Sequence, residues 1–263
     1  LGIITQITFR VDEAYKLEYI SSSADFSETV QNIEQLNHKN RNFEFYYFPY
    51  SDKVQLKKSN KTDKAVRYNK FLAYINDVII ENVAMQTICS IAMRFPTWFK
   101  GVNRFMANNF TKETKINYSH QIYATVRNVK FKEMEYNIPI EHFEKCIKAL
   151  KELIEEKEYY IFFPVECRFV KADNIWLSPA YQRDSAYIAV HAYSTAPHQP
   201  YFDDVEALFC SFQGRPHWGK MHTRKANYLA NVYPKWQDFL DLRAQYDPNC
   251  MFVNPYLSHM FGL

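Results

Sequence analysis

A chain of 263 residues with 47% hydrophobic and 23% charged side chains holds enough apolar material for a sizeable core in one large domain or two, which argues against disorder. A formal charge of +3, with 32 basic residues spread among 29 acidic ones, excludes a nucleic-acid surface built on excess positive charge. Glycine occurs only five times, against a usual share of ~7%, so a phosphate-cradling loop of its own has almost nothing to be built from.

The opening residues Leu1-Gly2-Ile3-Ile4 include no initiator Met and no targeting stretch, so the sequence reads as a fragment. Residues 3–11 alternate as a strand, with Ile7, Phe9 and Val11 on one face. Asp25 is placed to cap a short helix carrying Phe26, Val30 and Ile33, and Phe43 to Phe48 forms an aromatic strand closed by Pro49. Residues 51–64 read as a loop or exposed hairpin. The apolar stretch 78–106 predicts helices broken at Pro96 and Gly101. Glu81, Asn82, Gln86 and Thr87 interrupt that stretch, so no spanning helix is expected and membrane association has no such anchor. An amphipathic helix is predicted from Glu141 to Glu156, with Phe143, Ile147, Leu150 and Ile154 as its buried stripe. Strands follow at Ile161 to Val170 and Ala186 to Tyr193, then a helix from Tyr233 to Tyr246 ended by Asp247-Pro248-Asn249.

The strand at Ile161 to Val170 carries the sharpest local signal. A period of two sends Val165, Cys167 and Phe169 to one face and Glu166 with Arg168 to the other. In the second strand Tyr187, Ala189, His191 and Tyr193 share a face. If the two strands pair, Glu166, Arg168, His191 and Tyr193 form one polar wall suited to a polyhydroxylated ligand; an ordinary surface ion pair is the plainer reading of Glu166 and Arg168. Arg215-Pro216-His217-Trp218-Gly219-Lys220 packs a rigid proline, an imidazole, an indole and an ammonium into one turn able to aim Lys220 and His217 into a cleft. No zinc spacing accompanies the histidines, and no metal is expected. The chain lacks GxSxG and P-loop patterns, which removes support for hydrolase and kinase chemistry. Five cysteines, Cys89, Cys146, Cys167, Cys210 and Cys250, form no CxxC pair; a reduced, intracellular compartment is the simplest fit.

Taken in order, several segments resemble the C-terminal, cap or substrate part of the L-gulono-1,4-lactone and D-arabinono-1,4-lactone oxidase family of vanillyl-alcohol-oxidase-type flavoproteins. They are Leu1 to Thr8, Phe45-Tyr46-Tyr47-Phe48-Pro49-Tyr50, Phe131-Lys132-Glu133-Met134-Glu135-Tyr136, Pro164-Val165-Glu166-Cys167-Arg168-Phe169, Leu177-Ser178-Pro179, Arg215 to Lys220, and Asp247-Pro248-Asn249 with Met251-Phe252 and Asn254. The resemblance implies an α+β fold, a mostly antiparallel sheet with helices covering one face. It implies residues 1–12 as the last strand of an absent FAD-binding domain, 13–245 as the substrate cap, and 246–263 as a segment returning to the FAD domain. The implied chemistry is hydride transfer from a lactone carbinol to flavin, with oxygen as acceptor and a sugar lactone or alditol as substrate. Carried over by position, Glu166, Arg168 and Lys220 are catalytic, His191, Tyr193 and His217 touch substrate, and His217, Lys220 and Asn254 touch FAD. The other class of function left open is a flavin-free binding or regulatory module that keeps the lactone-site shape.

Overall fold

A computed structural model describes residues 3–67, 84–109, 112–124 and 129–263. In chain order its elements are β1 (Lys16–Asp25), α1 (Phe26–Gln31), α2 (Ile33–Lys39), β2 (Asn42–Tyr47), β3 (Lys53–Lys61), α3 (Ala84–Arg94), α4 (Phe99–Asn108), β4 (Glu113–Tyr118) and α5 (Ser119–Tyr123). They continue with β5 (Phe131–Pro139), α6 (Phe143–Lys157), β6 (Val165–Val170), β7 (Ser185–Tyr193), α7 (Gln199–Ser211), β8 (Arg215–Pro216), α8 (Ala226–Val232), α9 (Trp236–Tyr246) and α10 (Pro255–Phe261). The strands form one eight-stranded sheet in the order β4-β1-β3-β2-β6-β7-β5-β8, and every pairing in it is antiparallel.

Period-two alternation gives the central strands two unlike faces. Phe45, Cys167, Ile188, Met134, Tyr136 and Ile138 point to one side and are buried, where α1, α6 and α7 cover them. Helix α6 contributes Phe143, Cys146, Ile147, Leu150 and Ile154, a stripe whose 3- and 4-residue steps keep it facing the sheet. Each such side chain is worth about 1.5–3 kcal/mol on burial. Asp25 caps α1 by accepting from the Glu28 amide at 3.1 Å, as its position in the sequence implied. The expected α+β architecture holds, with these three helices on one face.

The opposite face carries the charged residues, and two small apolar clusters flank it. At one end α3 and α4 pack with Phe162, Phe163, Tyr46 and Phe48. At the other, α8 to α10 gather Leu229, Tyr233, Trp236, Met260 and Phe261, with Trp218 against them.

Several expectations need correction. Residues 3–11 form no strand and expose Ile3, Ile7, Phe9 and Val11, because a strand needs a neighbour for its amides and none of the described strands pairs with them. The first strand is β1, a serine-rich segment paired on both sides. Residues 51–64 are mostly β3, an interior strand of the sheet rather than a loop or exposed hairpin. The helical break falls at Pro96 but not at Gly101, which lies inside α4; the part of that stretch from residue 78 to 83 lies outside the described residues. The strand expected from Ile161 begins its ladder only at Val165.

Candidate functional site

Register brings the predicted wall together. Strand β7 lies between β6 and β5, with Glu166 opposite Ala189, Arg168 opposite Tyr187 and Glu133 opposite His191. Because β5 alternates in phase, Phe131, Glu133, Glu135 and Asn137 face the same way as Glu166 and Arg168. Glu133 and Glu135 were not among the residues predicted for the site. A signal was available, since Glu-x-Glu alternates with Met134 and Tyr136 just as Glu166 and Arg168 alternate with Cys167; only pairing with β7 shows that the carboxylates converge.

Lys220 arrives from the far edge. After β8, the His217 amide donates to Glu135 O at 2.9 Å and the Met221 amide to Glu133 O at 3.0 Å. Between these anchors the chain arches outward, and the Lys220 side chain folds back over β5. The arch is fixed on its outer side by the Trp218 indole, which donates to Leu177 O at 3.0 Å and stacks on Trp236 at 6.3 Å between centroids. At its root the Arg215 guanidinium donates to Val232 O, Pro179 O and Tyr181 O.

The resulting cluster is dense. Arg168 Nη2 lies 2.6 Å from Glu135 Oε2 and its Nε 3.3 Å from Glu166 Oε1. Lys220 Nζ lies 2.6 Å from Glu133 Oε1 and 2.7 Å from the same Glu135 Oε2. His191 places Nε2 3.2 Å from Glu133 Oε1 and Nδ1 3.0 Å from Pro164 O. Glu135 is 1% exposed and its Oε1 has no hydrogen-bond partner among the described residues. Burial works against the charge on Glu133, but hydrogen bonds from His191 and Lys220 outweigh it and hold the carboxyl down at about 2. For Arg168 burial likewise opposes the charge, and the carboxylates of Glu135 and Glu166 more than compensate, raising its pKa. Three carboxylates therefore meet two fixed cations and one imidazole.

Two other predicted residues sit at the margin. Tyr193 stacks on Phe163 at 6.5 Å and belongs to an aromatic wall with Phe131, whose ring meets His191 edge-on at 5.2 Å. His217 accepts from the Gly219 amide at 3.1 Å within its own turn. An open cavity of about 460 Å³ runs between Phe131, Lys132, Glu133, Gly219, Lys220 and Met221. Asn254 is not brought to the cluster by any contact; its side chain caps α10, accepting from the Leu257 amide at 2.8 Å. A second cavity, about 470 Å³ and walled mainly by apolar groups such as Leu177, Trp218, Phe239 and Phe252, lies on the side of α9 and α10. Among the described residues no group of three or more His, Cys, Asp or Glu is placed to hold a metal, and no helix is long and apolar enough to cross a membrane.

The family model described as D-arabinono-1,4-lactone oxidase matches residues 7–260. L-gulono-1,4-lactone dehydrogenase of Mycobacterium tuberculosis is 33% identical over 262 residues, covering 100% of this chain and 61% of that protein. L-gulonolactone oxidase of Mus musculus is 29% identical over 269 residues, covering 99% and 60%. Among solved structures, a cholesterol oxidase from Brevibacterium sterolicum superposes with a TM-score of 0.70 at 15% identity, over 94% of this chain and 60% of that one. A VAO-type flavoprotein from Myceliophthora thermophila gives 0.52 at 10% identity, over 91% and 46%. These structural likenesses carry the fold alone, and the chain spans about three fifths of the length of the curated relatives it matches.

Proposed function

The chain belongs to the D-arabinono-1,4-lactone oxidase family, and on that premise we propose that its charged sheet face is the substrate side of an FAD-dependent sugar-lactone oxidoreductase. The observation that carries the reading is the convergence of Glu166, Arg168 and Lys220 with Glu133, Glu135 and His191 on one open face. A polyol or lactone presents hydroxyls that both donate and accept, and a face of interleaved carboxylates and cations answers both needs at close spacing.

FAD, when bound, supplies the hydride acceptor. The Lys220 ammonium, beside an open cavity walled also by Phe131 and Glu133, fits a polar ring edge. Lys220 and His217 are the residues of this chain that would meet it. Five glycines leave the pyrophosphate to be held elsewhere in the protein.

The oxidation removes a hydride from the carbinol carbon and a proton from its oxygen, leaving a carbonyl. Arg168 and Lys220, fixed in place before substrate arrives, stabilise the negative charge that develops on that oxygen. Glu166 takes the proton. Glu133 is held too low to be an effective base, and Glu135 already shares one oxygen between two cations. Among the described residues Arg168, at 3.3 Å, is the one cation paired with Glu166, which leaves it the carboxylate least committed to other donors. Dioxygen is the final electron acceptor in this reading.

The test is anaerobic stopped-flow reduction of the flavin in the full-length protein by L-gulono-1,4-lactone, comparing Lys220→Met and Glu166→Gln with the parent. Loss of one such contact is expected to slow reduction by about 100- to 1000-fold. Reduction of both variants at the parent rate would refute the assignment of this face.

A further inference from the structure

On the far side of the sheet from the carboxylate cluster, another buried acid organises the same loop. Glu206 of α7 is 2% exposed. Its Oε1 accepts from Tyr136 Oη at 2.5 Å and from the Thr223 amide at 2.7 Å. Its Oε2 accepts from the Thr223 hydroxyl and from Arg224 Nη2 at 3.0 Å. Burial opposes the charge, but these donors outweigh it and lower the carboxyl's pKa. Four donors on one carboxylate is far more than desolvation of an idle surface acid would require.

The positions of those donors matter. Tyr136 is the neighbour of Glu135 on β5, with its ring in the helix-covered core against Phe209. Thr223 follows Lys220 by three residues, after the chain has left β5 at the Met221 amide. The Lys220 arch therefore has two feet. Arg215 and the His217 amide fix the first; the Met221 amide and, beyond it, Glu206 fix the second, and Glu206 joins it to the core side of the very strand that presents Glu133 and Glu135. No other carboxylate bonds to Thr223 or Arg224 among the described residues.

We propose that Glu206 is a positioning residue for Lys220: by clamping Thr223 and Arg224 to Tyr136 it sets where the ammonium falls over Glu133 and Glu135. This rests on the reading of Lys220 given above. Glu206 acts through the backbone and makes no contact with the reacting groups. Glutamine in its place can still accept from the Thr223 amide, but it puts an NH2 group against donors and leaves Arg224 without its counter-charge. The second foot then loosens, and a shift of about 1 Å at a reacting group costs up to ~100-fold in rate.

A double-mutant cycle separates positioning from general stability. In the flavin-loaded full-length protein, the rate of anaerobic flavin reduction by L-gulono-1,4-lactone is measured for Glu206→Gln, Lys220→Met and the pair. Glu206→Gln alone is expected to lose about 10- to 100-fold, whereas in the Lys220→Met background it costs no more than about twofold, because nothing is left to position. Multiplying losses in the double variant, or a Glu206→Gln enzyme reduced at the parent rate, overturns the proposal. Parent-rate reduction by Lys220→Met instead overturns the assignment of Lys220 itself. If Glu206→Gln fails to fold, Thr223→Val removes a single donor at nearly constant volume; the same cycle with Lys220→Met then decides, and additive losses again sink the idea.

Discussion

Replacing Arg168 by lysine keeps the charge and removes the fork. In the parent, one guanidinium spans two carboxylates, reaching Glu135 Oε2 through Nη2 at 2.6 Å and Glu166 Oε1 through Nε at 3.3 Å. An ammonium is a single point and cannot hold both. It would also compete with Lys220, which already occupies the same Glu135 oxygen at 2.7 Å. The Arg168 side chain is 40% exposed, so solvent tempers the effect on folding. One lost charge-assisted bond to a buried acid is expected to cost about 1.5–3 kcal/mol of stability. The larger loss is to chemistry. On the proposed reading, Glu166 is released from the cation beside it and the developing oxyanion loses a fixed donor worth about 2.7–4 kcal/mol, or ~100- to 1000-fold in rate. Anaerobic stopped-flow reduction by L-gulono-1,4-lactone reads this loss without interference from reoxidation. A variant whose flavin is reduced at nearly the parent rate would return Glu166 and Arg168 to the status of an ordinary sheet-surface ion pair.

Because Glu133 is held at about 2 in the folded chain, below the ordinary carboxylate range, it contributes stability that is present above its unfolded value and is lost as pH falls toward 2. Thermal melting between pH 6 and pH 2.5 should show this decline, and Glu133→Gln should flatten it; identical profiles for the two proteins would contradict the assignment. At Gly214 an added Cβ would lie 2.6 Å from Phe209 O and 2.9 Å from Tyr136 Cδ1, so Gly214→Ala should destabilise by about 1–3 kcal/mol in urea titration. Gly101, in α4, has nothing within 4 Å of such a Cβ, and Gly101→Ala should instead stabilise by roughly 0.5–1 kcal/mol; a like sign for both would refute the contrast. Asn254→Ala should lose the α10 cap and about 1 kcal/mol, while Asn254→Asp, still able to accept from the Leu257 amide, should keep most of it in the same titration.

The parts of this fold legible in the sequence are those where local pattern and tertiary demand coincide. Strand β6 shows both faces in its own alternation, and α6 shows its buried stripe, because each packs one side against the core. Strand β1 is hidden for the opposite reason. Ser21, Ser22 and Ser23 carry no apolar signal, and ladders to β3 and β4 hold the segment in place. In β3 the alternation of Val54 and Leu56 gives way to lysines at 57 and 58, so the strand reads as loop although partners flank both edges. Residues 3–11 alternate well yet stay exposed, since alternation specifies a face but does not supply a neighbour. Within the site, Glu166, Arg168, His191 and Lys220 could be singled out one at a time. Glu135 could not be, because its importance arises only where β5, β6 and the arch after β8 meet.

That meeting explains how so many charges persist on one sheet face. An isolated buried carboxylate is costly, and an isolated buried pair rarely recovers the loss. Here Glu135 Oε2 is shared by Arg168 and Lys220, Glu133 Oε1 by Lys220 and His191, and Arg168 by Glu135 and Glu166. Glu135, Arg168 and Lys220 each have two opposite charges beside them and Glu133 has Lys220 and the His191 imidazole, while Glu166 lies at the outer end of the chain of contacts. Among the described residues the network is thus largely satisfied within the chain, with Glu135 Oε1 and the outer Glu166 as its open ends. Donors set in advance around a single receptive group need little reorganisation when charge develops. The aromatic wall of Phe131, Phe163 and Tyr193 on one flank and the Trp218 anchor on the other bracket the charges with apolar packing, so the elements that carry them are held by contacts outside the charged network itself.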